Sequence, residues 1–310
     1  MDDQDEFKIL IGKDQVMAGH VDTIAPSFSA NGTTVGIDGR DYTADLVDCS
    51  AVHEPGSFKN TTFKNMVNIL LDPFLIDAVY EAEPPTDKFD FAIDSGETPF
   101  KVLDRLASKY GLLMQSNTAG QLVFIKNEFK RAETGLAAGD NVINAGATYD
   151  FTDRFSKYII RGQDASKGAG KWAKSQPQIE ASIIDPGVAR YRPLLLQAET
   201  NATAASCKDR ARWEATIRRA RATRVNVEVK GWRQTGSDKL WEINKITNVT
   251  IPSLQIENID LLISSIDFTK SSSGTLTRLG LVPQDSYLKE PPAPIKEKVK
   301  RQGKGRKRWL

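Results

Sequence analysis

Arg224-Val-Asn-Val-Glu-Val-Lys230 is the stretch of sequence that decides the fold class. Its valines alternate with polar residues, so Val225, Val227 and Val229 are predicted to face one side of a β-strand. The runs that indicate further strands around it are Tyr158–Arg161, Tyr191–Leu196, Trp241–Asn244, Val249–Ile251, Leu261–Ile263 and Leu276–Val282. Antiparallel strands at this spacing fit a β-barrel or a β-sandwich.

A single helix is predicted inside this strand-rich part, from a cap at Thr203 to about Arg221. It is strongly basic, because residues 203–224 hold seven cations against Asp209 and Glu214. The cations are Lys208, Arg210, Arg212, Arg218, Arg219, Arg221 and Arg224. Three interpretations stay open: a nucleic-acid-binding or channel-lining face, a solvated face, and an ion-pair surface between subunits.

Residues 54–131 have the pattern of a small α+β unit. Thr62 is a candidate cap for a helix that Pro73 ends, and Thr98 followed by Pro99 begins a second helix. Gly111 suits the left-handed residue that closes this second helix. Two apolar runs, Leu112–Met114 and Leu122–Ile125, then predict a hairpin.

The first 50 residues are predicted to form short strands at Phe7–Ile11, Gln15–Val21 and Thr33–Gly39, with Asn31-Gly32 as a type I′ hairpin turn. Three short strands cannot close a barrel. We therefore expect them to pair with a later part of the chain or with another subunit.

Composition excludes several classes of protein. The 310 residues are 40% hydrophobic and 26% charged, which is typical of a soluble globular protein and not of collagen, a disordered chain or a membrane-spanning protein. Residues 2–6, four of which are acidic, give no expectation of a signal peptide. The two cysteines, Cys49 and Cys207, are too few for a disulfide scaffold and are expected to be reduced.

Charge is concentrated at the end of the chain. Residues 289–310 hold nine basic and two acidic residues, a net charge of +7, whereas the other residues carry −5. The prolines Pro291, Pro292 and Pro294 and the lack of apolar residues predict a disordered tail. Its two interpretations are a solvated terminus and an electrostatic arm for nucleic acid or an acidic partner.

Candidate chemistry is sparse. The only imidazoles, His20 and His53, lack the spacing of a zinc helix. Asp45, Asp48, Cys49 and His53 cluster within nine residues, which would allow a metal site or a Cys–His nucleophile. We favour solvated polar residues where a strand passes into a loop.

Two further patterns bear on catalysis. Gly168 to Lys171 resembles a phosphate loop, but Ala165 and Trp172 stand where that motif requires glycine and Ser or Thr. Asp87, Asp90, Asp94 and Glu97 would allow glycoside cleavage, although acids before a helix more often serve its positive end. We therefore predict no catalytic, cofactor-binding or metal-binding residues, and no enzyme.

Several segments of the chain resemble, in the same order, segments of a known protein family. Gly39-Arg-Asp-Tyr-Thr-Ala-Asp-Leu-Val-Asp-Cys-Ser-Ala51 resembles the segment that closes the first barrel in the baseplate hub proteins of phage Mu and its prophage relatives. Ser95–Phe100 and Leu113–Phe124 resemble the helix and hairpin of that family's second domain. The other matching pieces are Asp153–Tyr158, Arg190–Pro193, the basic helix and the Lys- and Arg-rich C-terminus.

The resemblance, which runs from about Phe7 to Arg308, implies a structural component of a contractile tail. It implies two similar antiparallel β-barrel domains, at residues 1–53 and 132–288, flanking a small α+β domain at residues 54–131, with a basic tail at residues 289–310. Three subunits would form a ring of six barrels around a channel, a candidate path for DNA. That ring would join the six-fold tail tube to the three-fold spike, in a virion assembled in the bacterial cytoplasm.

Family members carry further residues before the point that matches Phe7, and these form the first strands of the first barrel. Either the chain is truncated, or its start is different, or its first barrel is incomplete and lacks the N-terminal strands. Two other functions remain as alternatives: nucleic-acid binding through the basic tail and helix, and cell-wall hydrolysis at the tail tip.

Overall fold

A computed structural model describes residues 5–126, 129–163, 178–198, 202–272 and 274–288. The chain forms two compact units, Met1–Glu128 and Phe129–Leu310. The Gly168–Lys171 pattern and the basic tail lie outside the described residues. Within the described part, no helix combines the length and the apolar character needed to cross a membrane.

The first unit opens with an antiparallel three-stranded sheet, β1 (Glu6–Ile11), β2 (Asp14–Ser29) and β3 (Gly32–Asp41). The predicted strands are confirmed, but β2 is much longer than its apolar run. The predicted type I′ turn at Asn31-Gly32 is wrong by one residue. Ser29 pairs with Gly32, so Ala30 and Asn31 form the turn, and Gly32 has the positive φ of 129°.

The rest of the first unit packs helices against short strands. Its elements are α1 (Asp45–Asp48), β4 (Ser57–Thr61), α2 (Phe63–Leu71), β5 (Ala78–Tyr80), β6 (Phe89–Ala92), α3 (Pro99–Lys109), β7 (Leu113–Ser116) and β8 (Leu122–Ile125). β4 pairs with β6, and β8 lies between β5 and β7. One buried cluster, which includes Phe63, Leu103 and Phe124, joins these elements.

The capping residues predicted for the two helices are confirmed. The Thr62 side chain accepts a hydrogen bond from the Asn65 N–H, and that of Thr98 accepts one from the Lys101 N–H. These bonds satisfy amide groups that the first turn of a helix leaves unpaired. Gly111 has a φ of 69°, as predicted for the residue that follows α3.

The second unit contains two sheets and one long helix. Its elements are β9 (Lys130–Arg131), β10 (Leu136–Ala137), β11 (Val142–Tyr149), β12 (Lys157–Gln163), β13 (Gln178–Ile184), β14 (Pro193–Gln197), α4 (Ala204–Arg221), β15 (Thr223–Lys230), β16 (Lys245–Ile251), β17 (Ile256–Ser271) and β18 (Gly274–Val282). The larger sheet has the order β10-β16-β17-β18-β15-β11, with β9 also on β16. The smaller has the order β13-β12-β14.

β15 shows the alternation that its sequence predicts. Val225, Val227 and Val229 are buried in one apolar cluster that includes residues of β16, β17 and β18. The predicted strand at Trp241–Asn244 is wrong. Trp241 is buried, but the chain turns after it, Asn244 has a φ of 59°, and β16 begins only at Lys245.

α4 lies on the smaller sheet. Its first turn is closed by a capping box, in which Thr203 and Ser206 each accept a hydrogen bond from the backbone N–H of the other. Cys207 and Ala211 on α4 pack with Ile160 on β12 in a buried apolar cluster. The helix predicted after Thr203 is therefore confirmed.

The meanders β1-β2-β3 and β16-β17-β18 share one pattern of pairing. β2 and β17 each have 16 residues, and the strands that follow them begin with glycines of positive φ, 129° at Gly32 and 118° at Gly274. Both hairpins have a β-bulge at the same place, after Val21 and after Ile263. Residues of the two hairpins therefore correspond one to one, as His20–Arg40 corresponds to Leu262–Val282.

Candidate assembly surfaces

The Asp45–His53 group does not form a site within the first unit. Residues 42–48 form a short 3-10 helix and α1, rather than the predicted loop. The Asp48 carboxylate pairs with Arg40 at 2.8 Å, and the His53 ring stacks on Phe58 at 4.2 Å. Among the described residues, no three His, Cys, Asp or Glu side chains are grouped to hold a metal ion.

Two of the four candidate acids before α3, Asp90 and Glu97, have structural partners. Asp90 accepts a hydrogen bond from the Asn60 N–H at 2.8 Å. Glu97 accepts one from the Asp94 N–H at 3.0 Å and pairs with Arg105 at 2.7 Å. Burial alone would raise the pKa of Glu97, but the hydrogen bond from Arg105 and the one from the Asp94 backbone lower it below its ordinary value.

Arg210 and Arg218 of α4 are held by a carboxylate of the same helix. The buried Glu214 lies between Arg210 and Arg218, which are one turn away on either side at 3.1 Å and 2.8 Å. Both pairs have the i,i+4 spacing that brings side chains together on one helix face. The one buried acid of α4 thus lies against two of the seven cations.

Asp185 neutralises a second group of arginines. Its side chain is 1% exposed and binds Arg154 through two hydrogen bonds, at 2.7 Å and 3.1 Å, and Arg219 lies at 3.4 Å. The Gly187 N–H also donates to it. The hydrogen bond from Arg154 is the main reason that the pKa of Asp185 lies below its ordinary value.

Sequence reasoning did not identify Asp185 as a functional or structural partner of the helix. It lies 34 positions before Arg219, in the turn after β13, and only the packing of α4 on the smaller sheet brings the two together. The sequence offered no signal for this pairing, because charge counts along one helix omit partners from other elements.

A cavity of about 510 Å³ lies beside β15 and β18 in the second unit. Arg221, Arg224, Ser264 and Tyr287 are among its lining residues, and its lining within the described part of the chain includes neither a carboxylate nor an imidazole. The cavity thus does not bring together the acid pair that glycoside cleavage requires.

A group of exposed apolar side chains lies on the β2–β3 hairpin, beyond the bulge at Val21. Phe28 is 85% exposed, Val35 54% and Ile37 48%. Ile24 pairs with Ile37, and Pro26 with Val35, so these side chains share one face with Phe28. The alternation Ile24-x-Pro26-x-Phe28 is the sequence signal for this face.

The arrangement of several sheets with few helices is that of phage tail proteins. The 43 kDa tail protein of prophage MuSo2 from Shewanella oneidensis is 33% identical, with a TM-score of 0.79 over 92% of this chain and 82% of that one. The tail protein of Neisseria meningitidis MC58, at 20% identity, has the same fold with a TM-score of 0.72 over 92% of this chain and 85% of that one.

Sequence comparison defines the family. The second domain of baseplate hub protein gp44-like matches residues 43–126, and the fourth domain of Mu phage baseplate assembly protein GpP matches residues 203–290. Baseplate hub protein gp44 of Escherichia phage Mu is 30% identical over 290 residues, which cover 91% of this chain and 76% of that protein. The chain belongs to this family of baseplate hub proteins and is a structural component of a phage tail. The resemblance noted from the sequence is confirmed.

Proposed function

We propose that this hub protein forms a homotrimeric ring in the baseplate of a contractile phage tail. The ring joins the six-fold tail tube to the three-fold central spike, and its role is mechanical rather than enzymatic. It acts in the virion after assembly in the bacterial cytoplasm. Its partners are tube, spike and other baseplate proteins, and its channel is a candidate path for DNA.

The repeated meander is the observation that carries this proposal. β1-β2-β3 and β16-β17-β18 share strand length, turn size and bulge position, so one chain presents two equivalent strand modules. Three chains in cyclic symmetry then present six such modules, which is the number needed to match a six-fold tube. A single module per chain would match only the three-fold partner.

We propose that each module belongs to a β-barrel domain, at residues 1–53 and 132–288, separated by the α+β domain at residues 54–131. The larger sheet of the second unit supports the proposal that the second module closes into a barrel. The end strands of its sheet, β10 and β11, are neighbours in sequence, and Ala138 bridges to Val142 between them. The buried side chains of the sheet also form one cluster, as inward-facing residues of a barrel do.

Some cations of α4 are available for contacts between subunits or for the bore. The Arg212 and Arg219 side chains are 63% and 53% exposed, although each has a carboxylate nearby. We propose that these arginines, rather than the buried pairs of Glu214, face neighbouring subunits or the channel.

Native mass spectrometry of the purified chain tests the proposal. The expected mass is close to three times 34.3 kDa. Electron microscopy of the same sample should show rings with six densities. A protein that stays monomeric throughout the micromolar range would contradict the trimer, and a ring with only three densities would contradict two equivalent modules per chain.

A further inference from the structure

The cavity beside β15 and β18 lies on the outer face of the larger sheet. Asn226, Gly280 and Ser265 stand side by side on β15, β18 and β17, at positions that alternate with the buried Val225 and Leu281. Gly280 has no side chain, and a Cβ at its place would overlap with the Ser265 hydroxyl. The glycine therefore keeps a depression open in a face that side chains would otherwise fill.

Two arginines and a short 3-10 helix complete the lining. Arg221 is the last residue of α4 and Arg224 is the second residue of β15. The 3-10 helix Gln284–Tyr287 contributes Ser286 and Tyr287. The Arg221 Nε donates a hydrogen bond to the Ser286 carbonyl at 3.4 Å, which links the end of α4 to this helix. All of these elements belong to the second unit.

These two arginines differ from the other arginines of the basic helix, because they have no carboxylate of their own. Arg210 and Arg218 bind Glu214, Arg219 binds Asp185, and Arg212 lies 3.5 Å from Asp209. Among the described residues, no ion pair includes Arg221 or Arg224.

Asp150 is the one acid that responds to the charge of Arg224. Its hydrogen bonds from Thr152 are the main reason that its pKa lies below the ordinary value, and the charge of Arg224 adds to this effect. Thr152 donates to the Asp150 carboxylate from both its backbone N–H and its hydroxyl. The guanidinium of Arg224 therefore keeps its donors for another acceptor.

The lining combines positive charge with hydrogen-bond donors. A guanidinium presents its N–H groups in a fork that matches the two oxygens of a carboxylate. The Ser286 hydroxyl is buried and has no hydrogen-bond partner within the described ranges, a condition that costs free energy in a folded protein. An acceptor oxygen of a ligand would offer these groups the partner that the chain itself does not supply.

The surface around the cavity limits which anion it takes. One row further along the same face, Glu228 and Asp267 stand on either side of Arg278, and Asp285 is exposed on the 3-10 helix. A nucleic-acid backbone needs cations along several successive phosphates, and these acids would repel it. Two cations inside an acidic surround favour a single carboxylate.

We propose that this cavity binds one Asp or Glu side chain of another tail protein, held by the guanidinium groups of Arg221 and Arg224. The source is a protein because the chain is a structural component of a phage tail. The volume of about 510 Å³ exceeds that of a carboxylate, so the residues beside the acid also enter, against Val282 and Tyr287. The site lies in the second unit and does not depend on the trimeric ring.

A short peptide whose only charge is one glutamate serves as the probe for the full chain. Its sequence is Ser-Gly-Ala-Glu-Ala-Gly-Ser with both termini blocked, and the control peptide has glutamine in place of glutamate. We expect saturable binding by calorimetric titration that weakens as salt is added, and binding at least about tenfold weaker for the control. Amide hydrogen exchange should slow at residues 221–226 and 280–288.

Variants of the chain locate the site. Arg221→Gln combined with Arg224→Gln removes both guanidiniums, and Ser265→Trp fills the cavity without a change of charge. Each is expected to weaken binding at least about tenfold. Lys230→Gln combined with Lys270→Gln removes the same charge from exposed lysines outside the lining and should leave binding unchanged. Unaltered thermal unfolding and native mass of the Ser265 variant show that its loss is neither misfolding nor disassembly.

Four outcomes would overturn the proposal. These are no saturable binding, equal binding of the glutamine peptide, an equal loss in the lysine control, and binding at least about tenfold tighter for a peptide with phosphoserine in place of glutamate. The first would also follow if a second copy closes the cavity, and the last would show a phosphate site. None of them alters the native mass, so failure here is distinct from failure of the trimeric hub.

Discussion

The carboxylate of Asp185 is almost fully buried and binds the guanidinium of Arg154, which is itself only 16% exposed. Removing one partner of such a pair leaves a buried charge without compensation, which costs about 3 kcal/mol. We therefore expect Asp185→Asn to lower the free energy of unfolding at pH 7 by about this amount. Asp153→Asn is the control, because Asp153 is exposed and its contact with Arg218 is long, at 4.0 Å. This change should alter the free energy of unfolding little.

The same carboxylate predicts a dependence of stability on pH. The pKa of Asp185 is lower in the folded chain than its ordinary value of 3.8, so the unfolded chain binds more protons in acid. Its contribution is fully present above about pH 4 and is lost as the pH falls through the folded pKa. Urea unfolding at pH 7 and pH 3 should show the difference between wild type and Asp185→Asn shrinking in acid. A difference that stays constant would contradict this.

The candidate site residues were predictable only where their partners are close in sequence. Glu214 and Arg218 stand one helical turn apart, so their contact follows from helix geometry. The contact of Arg219 with Asp185 depends on where α4 packs, which no local pattern encodes. Counting charges therefore overstated the free basic surface of the helix.

β15 allows a test at the level of one strand, because its two faces have opposite environments. Val227 lies in the buried cluster, whereas Asn226 beside it is exposed. Removing two buried methyl groups with Val227→Ala should lower the free energy of unfolding by about 2 kcal/mol. Asn226→Ala should change it by less than about 0.5 kcal/mol. Equal effects in denaturant unfolding would contradict the inward orientation of the valines.

Elements with strong local signals were predicted well from the sequence. α3 has Thr98, Pro99 and Gly111 at its ends, and β15 has strict alternation, so hydrogen bonding and burial both act within a short stretch. Trp241–Asn244 was misread because its buried tryptophan belongs to a turn that packs against the sheet. The length of β2 was missed because strands were placed from apolar runs, and the second half of β2 is largely exposed.

At the scale of the molecule, the amino-acid sequences of the two meanders hardly resemble each other, and yet the registers of their hairpins agree. Val35 corresponds to Thr277, and Ile37 to Leu279, through register alone. Strand length, turn size and bulge position are backbone properties that many side chains satisfy. The repeat therefore became visible only with the structure, although the resemblance to hub proteins had implied two similar domains.

The basic tail gives the last prediction, since it separates an assembly protein from a nucleic-acid-binding one. We expect a chain that ends at Leu288 to remain trimeric by native mass spectrometry, because it retains the Leu288 carbonyl that accepts a hydrogen bond from the Trp213 indole N–H. The residues that it keeps carry a net charge of −5, which does not favour DNA binding. A full-length variant with glutamine at the tail's nine basic positions separates loss of charge from loss of length. Salt-dependent retention on DNA that disappears in both variants, together with a monomeric mass for the intact chain, would contradict the hub and favour a nucleic-acid-binding protein.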